Sequence, residues 1–292
     1  MQLSLFVDGV LIGSIFGLIA LGLTLIFGVM RIINFAHGTL LMVSMFLGFQ
    51  CVSGWGLNPY VSLVVVVPGM FVIGYLTNRV LIQPVLKKEK DVREPVGALV
   101  LTFGFGVVVE NTFLAIAGPN FKSIQSSLAD RMVNVGPLII AVPKIYAFVL
   151  ASVVTLLFYL FLQKSDLGRN IRAVGQDRNA ARLMGINVEQ TFSIAFGIGL
   201  AILGTAGVAL LPFYNIHPTM GSIFGVKAFV TVLLGGLGSI PGAIIGGLLI
   251  GIVESVSTAF VQSTLAPMVV LYAFLLFLFF RPAGLFGSRH DS

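Results

Sequence analysis

The stretch that decides the fold is LFVDGVLIGSIFGLIALGLTLIFGVMRIINFAHG, residues 5–38. Its first part, 5–29, is almost entirely apolar, and a membrane-spanning helix needs about 20 such residues. No Lys or Arg precedes this run and Asp8 lies inside it, so the basic segment that opens a cleaved signal peptide is missing. The run therefore predicts a first membrane span.

The whole chain has the composition of a membrane protein. It has 292 residues, of which only 10% are charged, whereas a soluble domain carries about a quarter. We therefore expect an all-α, polytopic integral membrane helical bundle of about eight to nine crossings, with discontinuous or re-entrant segments. The apolar runs long enough to span are 5–29, 38–54, 60–82, 95–117, 145–163, 191–212 and 264–280.

Two loops concentrate positive charge and predict the orientation. Residues 83–94 and 164–190 are rich in Lys and Arg and are separated by two spans, so both lie on one side of the membrane. Basic loops are retained in the cytoplasm. This places the N-terminus outside. The net charge of +6 follows from these loops and does not indicate nucleic acid.

The stretch 225–260 is too long for one span and is interrupted by LGGLGSIPG, 234–242. The tail carries Arg281 and Arg289 and is expected in the cytoplasm. That position requires 225–260 to cross twice, with GSIPG as an inner turn. Glycines four apart, at 13 and 17, 242 and 246, and 247 and 251, allow close helix packing, either within the chain or against a second membrane subunit.

Two polar breaks, 31–38 and 234–247, follow apolar runs. They are either interface loops or discontinuous helices that line a pathway, because irregular backbone at membrane depth must be covered by protein or water. Ionisable residues within spans are few, and those near 227 and 254 are either paired or pathway-lining. The candidate pathway residues are Asn34, His37, Glu110, Asn111, Gly235, Gly236 and Gly238.

Several function classes find no support in the sequence. The single cysteine, Cys51, excludes a multi-cysteine metal site, and His37 reads as a hydrogen-bond donor, so no metal is expected. No constellation of catalytic residues is present, so we do not expect an enzyme. The spans lack the acidic or histidine relays of a coupled carrier, and no GxxxxGK[ST] motif is present. We therefore expect no cofactor and no energy source in the chain itself.

A polar stretch in the second basic loop, GQDRNAARLMGINVEQ, predicts a short helix at residues 175–190. Asp177 is a good N-cap, Ala180 and Ala181 favour helix, and Gly185 fits the position just after the helix. A helix of about two turns is unstable alone, so it needs a partner surface. A solvated loop with transient helicity is the alternative.

Four motifs in order resemble one family. INFAHG at 33–38, DRNAARLMGIN at 177–187, LLGGLGSIPGAIIGG at 233–247 and RPAGLFG at 281–287 are similar to the branched-chain amino acid ABC permeases of the LivH type. The resemblance covers nearly the whole chain, which would then be a single transmembrane permease domain, 1–292, with a cytoplasmic coupling loop, 164–190. Asn179 stands where the "EAA" motif of such importers has Glu; Asp177 and Glu189 are the candidate substitutes.

The resemblance implies a set of partners and a mechanism. These are a second, LivM-like permease subunit, two cytoplasmic ABC ATPases that bind ATP and Mg²⁺, and an extracytoplasmic substrate-binding protein, assembled at the bacterial inner membrane. The substrate would be a branched-chain amino acid or a related small polar solute. A stand-alone secondary carrier or channel is the alternative. The implied coupling residues are Asp177, Arg178, Asn179, Ala180, Ala181, Arg182, Met184 and Gly185.

Overall fold

The computed structural model describes residues 2–88, 96–124, 131–135 and 138–287. Lys90, Arg93 and Arg289, which the sequence analysis places in basic regions, lie outside the described residues. The helices are α1 (Gln2–Met30), α2 (His37–Trp55), α3 (Leu63–Leu76), α4 (Gln83–Lys88), α5 (Val96–Ala117), α6 (Val142–Lys164), α7 (Asp166–Gln176), α8 (Arg178–Leu183), α9 (Val188–Leu210), α10 (Met220–Gly235), α11 (Ile240–Ser257) and α12 (Ala266–Phe280).

Two further elements complete the secondary structure. A π-helical segment, Thr77–Ile82, joins α3 to α4 without a break, so Leu63–Lys88 forms one long apolar span. Strands β1 (Met132–Val135) and β2 (Leu138–Ala141) pair antiparallel between α5 and α6. This short hairpin was not expected from the sequence.

The predicted helical membrane bundle is confirmed. Among the described residues, seven helices are long and apolar enough to cross a membrane, and α10 and α12 are shorter apolar helices. Residues 225–260 are divided between two helices, α10 and α11, joined by a turn at 236–239, as the predicted inner turn requires. That both helices cross the membrane stays a prediction.

Several helix ends meet on one side of the bundle, which we term the coupling face. The backbone of Gly28, at the end of α1, contacts Gly175 of α7 and lies beside Gly238 in the α10–α11 turn. After α12 the chain returns to the same place, where the Leu285 amide donates to the Leu234 carbonyl. The two basic loops are therefore on one side, as predicted, and the ion pair between Lys87 Nζ and Glu189 Oε2 (2.8 Å) joins them directly.

Helix α1 is the centre of the bundle and packs most extensively on α11. A Cβ atom added to Gly9 would lie 2.7 Å from Ile252 Cα, and one added to Gly13 would lie 2.8 Å from the Gly247 carbonyl oxygen. Glycine alone allows the two backbones to approach this closely. The spaced glycines of α1 and α11 thus join two helices of this chain rather than two subunits.

Helix α2 begins far from the point where α1 ends. The His37 Nε2–H group donates to the Ile19 carbonyl (3.0 Å), and Ile19 lies eleven residues before Met30. At 1.5 Å per residue this is about 16 Å back along α1. The intervening residues, 31–36, therefore run back into the bundle as non-helical chain; we call them the re-entrant segment.

The α1–α11 contact can be tested by adding bulk to one glycine. Gly13→Leu places side-chain atoms where the α11 backbone lies, and backbone atoms cannot rotate away. The loss of folding free energy should therefore exceed the roughly 1–3 kcal/mol of ordinary overpacking. We expect a severalfold loss of monodisperse protein in detergent size-exclusion chromatography. Gly69→Leu in α3 is the control, because a Cβ atom there meets nothing within 4 Å. Equal yields of the two variants would contradict the packing described.

Candidate coupling helix and translocation pathway

The predicted helix in the second basic loop is present as α8. The extended backbone of Asp177 lets its Oδ1 atom accept hydrogen bonds from the amides of Asn179 (2.8 Å) and Ala180 (3.1 Å). These bonds satisfy two of the free N–H groups that begin every helix. Gly185 follows the C-cap with φ of 82°, a conformation that glycine adopts readily. Local sequence alone therefore sets both ends of α8.

A second helix of the loop, α7, was not predicted. The Ser165 hydroxyl caps it by accepting from the Gly168 amide (2.9 Å), and Ile171 and Val174 face the interior. The serine followed by Asp166, and the spacing of the two apolar residues, are the signals that could have found this helix. Asp177 ends α7 and begins α8, so the coupling loop is two consecutive helices.

The eight candidate coupling residues divide by exposure. Ala181 is buried and Arg178 is half-buried, whereas the other six are exposed. The sequence analysis did not place Leu183 in the site, yet its side chain is 89% exposed, and that of the adjacent Met184 is 82% exposed. Two neighbouring apolar side chains thus project from a polar loop. The exposed candidates are Asp177, Asn179, Ala180, Arg182, Met184 and Gly185.

Arg178 points inward. Its guanidinium donates to the carbonyl of Met30, the last residue of α1, and lies 5.1 Å from the centre of the Phe192 ring. Burial lowers the pKa of Arg178, and the positive charges of Arg31 and Arg182 lower it further. The side chain therefore joins α8 to α1 and to α9.

Met30 is also held from the other side. Asn78, in the π-helical segment, donates from Nδ2 to the Met30 sulfur (3.4 Å), while its Oδ1 atom accepts from Gln83 (3.2 Å) and Ser193 (3.1 Å). A π-helical stretch within an α-helix frequently marks a functional position. We call Met30, Asn78 and Arg178 the Met30 junction, because it connects α1, α3, α8 and α9.

Asp177 and Glu189, the two candidate substitutes for the missing Glu, are both exposed on the coupling loop. The carboxylate of Asp177 is engaged as the cap of α8, and that of Glu189 forms the ion pair with Lys87. Asn179 itself is exposed. Both substitutes named from the sequence thus have other roles in this structure.

Two pathway candidates lie in the re-entrant segment and at the start of α2. Asn34 Oδ1 accepts from the Ala36 amide (3.1 Å), and Asn34 and His37 are both buried. Asn34 Nδ2 and His37 Nδ1 have no hydrogen-bond partner among the described residues. Of the two alternatives for 31–38, the structure shows a discontinuous segment within the bundle.

The backbone of the re-entrant segment is only partly hydrogen-bonded. The Phe35 amide donates to Thr102 Oγ1 (3.3 Å), but the amides of Ile32, Ile33 and Asn34 find no acceptor within the described ranges. The Phe35 side chain is 41% exposed and lies against the rings of Phe103 and Phe229. Unpaired amides at this depth cannot face lipid.

The other pathway candidates lie elsewhere. Glu110 is half-buried and Asn111 is exposed on α5, with Asn111 Nδ2 donating to the Val107 carbonyl (2.8 Å). The three glycines belong to the coupling face, where a Cβ atom on Gly236 would lie 2.5 Å from the Gly287 amide. The 234–247 break is therefore a turn between two helices at the end of the bundle. A role of these residues in transport stays a prediction.

A cavity of about 310 Å³ lies beside the re-entrant segment. Its walls come from α1, the re-entrant segment and α10, and all of its lining residues are apolar. Ile33 and Phe35 contribute to it from the side of the segment opposite the buried Asn34. The principal walls are Leu23, Phe27, Ile33, Phe35, Val226 and Phe229.

The two ionisable groups near 227 and 254 form an ion pair. Lys227 Nζ lies 2.6 Å from Glu254 Oε1 and 4.7 Å from the centre of the Phe16 ring. Pairing offsets much of the cost of these charges at membrane depth, so the structural alternative is confirmed for both residues. Within the described residues, no group of three His, Cys, Asp or Glu side chains could hold a metal ion.

Comparison with known proteins agrees with this architecture. The profile of the family described as the branched-chain amino acid transport system permease component matches residues 5–279. The chain belongs to this permease family. It is therefore a membrane component of a transporter, and the family assignment supports this function over a stand-alone carrier or channel. No solved structure matches the chain.

Three relatives illustrate the similarity. The permease protein LivH of the high-affinity branched-chain amino acid transport system of Escherichia coli K12 is 31% identical, over 96% of this chain and 94% of its own length. The corresponding protein BraD of Pseudomonas aeruginosa is 31% identical over the same shares. The probable LivH of Methanocaldococcus jannaschii is 30% identical, over 87% of this chain and 81% of its own.

The buried ion pair allows a stability test. Glu254→Leu leaves the Lys227 ammonium without a counterion, and breaking a buried pair costs roughly 3–5 kcal/mol. We expect a clear fall in the apparent Tm of the detergent-solubilised protein. The double variant Lys227→Met with Glu254→Leu removes both charges and should recover most of the loss. A double variant no more stable than Glu254→Leu would show that the charge is not the cause.

Proposed function

We propose that this chain is the permease subunit of an ATP-driven importer for branched-chain amino acids or a related small polar solute. In this proposal it pairs with a second, LivM-like permease subunit and receives substrate from an extracytoplasmic binding protein. Two cytoplasmic ATPases bind ATP and Mg²⁺, so the chain itself needs no cofactor. The observation that carries the proposal is α8, a capped helix whose exposed apolar residues have nothing to pack on within the described chain.

The coupling face is assigned to the cytoplasm. Lys87, Lys88, Arg169, Arg172 and Arg182 all belong to the loops on this side, and basic loops remain on the cytoplasmic side of a membrane. The N-terminus then lies outside and the C-terminus inside, in the bacterial inner membrane. This orientation presents α8 to a cytoplasmic ATPase.

The translocation pathway is assigned to the side of the bundle formed by the re-entrant segment, α5 and α10. The unpaired amides of Ile32, Ile33 and Asn34 require water or protein beside them, because lipid offers no acceptor. A second permease subunit packed against this side would exclude lipid and enclose an aqueous path. The candidate pathway residues Asn34, Glu110 and Asn111 lie on these elements, and His37 begins the adjoining α2.

The apolar cavity favours a solute with an aliphatic part. Ile33, Phe35 and Phe229 offer only hydrocarbon, so a branched side chain is bound there by burial of apolar surface. A shorter match, 32% identity over 36% of this chain, is to the fructose import permease FrcC of Rhizobium meliloti. We therefore assign discrimination among solutes mainly to the binding protein.

Transport then follows from movement at α8. Closure of the ATPases on ATP would shift the docked helix, and the contacts at the Met30 junction would carry the shift to α1 and α9. Such a movement changes which side of the bundle is open. ATP can drive this change only if it binds more tightly to one of the two states of the complex, as any such transition requires.

The proposal is tested by isolating the tagged chain in mild detergent and reconstituting what co-purifies. We expect two ATPase chains and a second permease, and ATP-dependent uptake of leucine, isoleucine or valine when the cognate binding protein is added. Omission of ATP should abolish uptake. A chain that purifies alone and moves solute into liposomes without ATP would refute the proposal.

Docking through α8 is tested at its exposed tip. Leu183→Glu places a charge where we expect an apolar contact with the ATPase, and should reduce ATPase recovery in the purified complex at least tenfold, about 1.4 kcal/mol. Membrane levels should not change, because the side chain touches little of its own chain. Leu183→Met is the matched control and should bind normally. Full ATPase recovery with Leu183→Glu would exclude this tip from the interface.

A further inference from the structure

The contact between Arg178 and Met30 joins α8 to the start of the re-entrant segment. Met30 is the last residue of α1, and the re-entrant segment starts at the next residue. The carbonyl groups at the end of a helix have no partner within the helix. The Arg178 guanidinium supplies a donor to one of them from a different part of the chain, 148 residues away.

Helix α1 ends in an unusual conformation at this point. Arg31 has φ of 50° and is the only residue other than glycine with positive φ in the described part of the chain. Helices commonly end in this left-handed conformation, but the residue is usually glycine. A side chain at such a position persists only where the surroundings hold it. The chain therefore turns back into the bundle at a position that depends on its neighbours.

Several of the neighbours that hold this turn belong to the coupling loop. Gly175 packs on the Gly28 carbonyl, where a Cβ atom would lie 3.0 Å away, so α7 lies directly on the last turn of α1. Ala181 is the buried residue of α8, and the Arg178 guanidinium rests on the ring of Phe192. A displacement of α8 that moves Arg178 must either carry Met30 with it or break the hydrogen bond between them.

The segment beyond the turn is able to respond. Its amides at Ile32, Ile33 and Asn34 form no bonds with the described chain, so no hydrogen bond from these three amides opposes a shift. It includes Phe35, whose partly exposed ring forms part of the apolar cavity, and it leads into α2 at His37. Movement of the turn therefore alters the cavity wall and the entrance to α2.

We propose that Arg178 is a positioning residue that transmits movement of α8 to the re-entrant segment by holding the Met30 carbonyl. This inference rests on the proposed function, because it requires an ATPase that moves α8. It assigns Arg178 to the interior link and the exposed residues of α8 to docking. The two roles predict different defects when they are removed.

The test measures coupling rather than activity. The complete complex is reconstituted in proteoliposomes, and solute transported is divided by ATP hydrolysed. Arg178→Met retains an apolar stem over Phe192 but removes the donor to Met30. We expect ATPase recovery and hydrolysis to persist while the transport-to-hydrolysis ratio falls at least tenfold. Arg178→Lys keeps one donor and should restore part of the ratio.

A matched control is available on α7. Arg172 is exposed and forms no described bond to α1, so Arg172→Met changes the same chemistry without touching the junction. Its ratio should equal that of the unmodified complex. If Arg178→Met does not assemble, Phe192→Leu removes the ring under the guanidinium and should give a smaller fall in the ratio.

A second readout follows the segment itself. With Cys51 replaced by Ala, a cysteine substituted for Phe35 should change its labelling rate when ATP and vanadate are added, and Arg178→Met should abolish the change. If transport and hydrolysis fall in proportion, or if labelling still responds to nucleotide, Arg178 merely stabilises the fold and the inference fails. Absence of ATP-driven transport by the unmodified complex would refute the proposed function instead.

Discussion

Inside a bilayer, a backbone amide that has no partner in the protein cannot find one in lipid, and this constraint organises the bundle. Nearly all of the membrane-embedded chain meets it by being helical. The re-entrant segment does not, and it packs on α5 and α10 with Phe35 still partly exposed. The glycine contacts between α1 and α11 hold the central helix tightly, so the irregular chain has a fixed wall on one side.

The same constraint connects the interior to the coupling face. Helix α1 is continuous from Gln2 to Met30, so the re-entrant segment starts directly from its last turn. The Met30 junction attaches that turn to the π-helical segment and to α8. The polar coupling loop, unusual in so apolar a chain, has two distinct faces. Its outer face is exposed, and its inner face holds the end of α1.

Periodicity and length were sufficient to predict most of the spans, the division of 225–260 by an inner turn and the capped helix at Asp177, because these depend on local sequence. The contacts that give them meaning are non-local. Arg178 reads as one of several basic loop residues, and only the fold shows that it turns inward while Leu183 projects outward. Gly236 and Gly238 read as a break at membrane depth, whereas the structure shows a turn packed on the C-terminal tail and on α1.

If nucleotide binding by the ATPases moves α8, the environment of the re-entrant segment changes. Amide hydrogen exchange on the assembled complex measures this change most directly. Peptides covering residues 31–36 contain three amides that the described chain leaves unbonded. We predict that their exchange differs between the nucleotide-free complex and the complex trapped with ATP and vanadate, together with slower exchange across α8 when the ATPase is bound. Identical exchange of 31–36 in the two states would contradict the account.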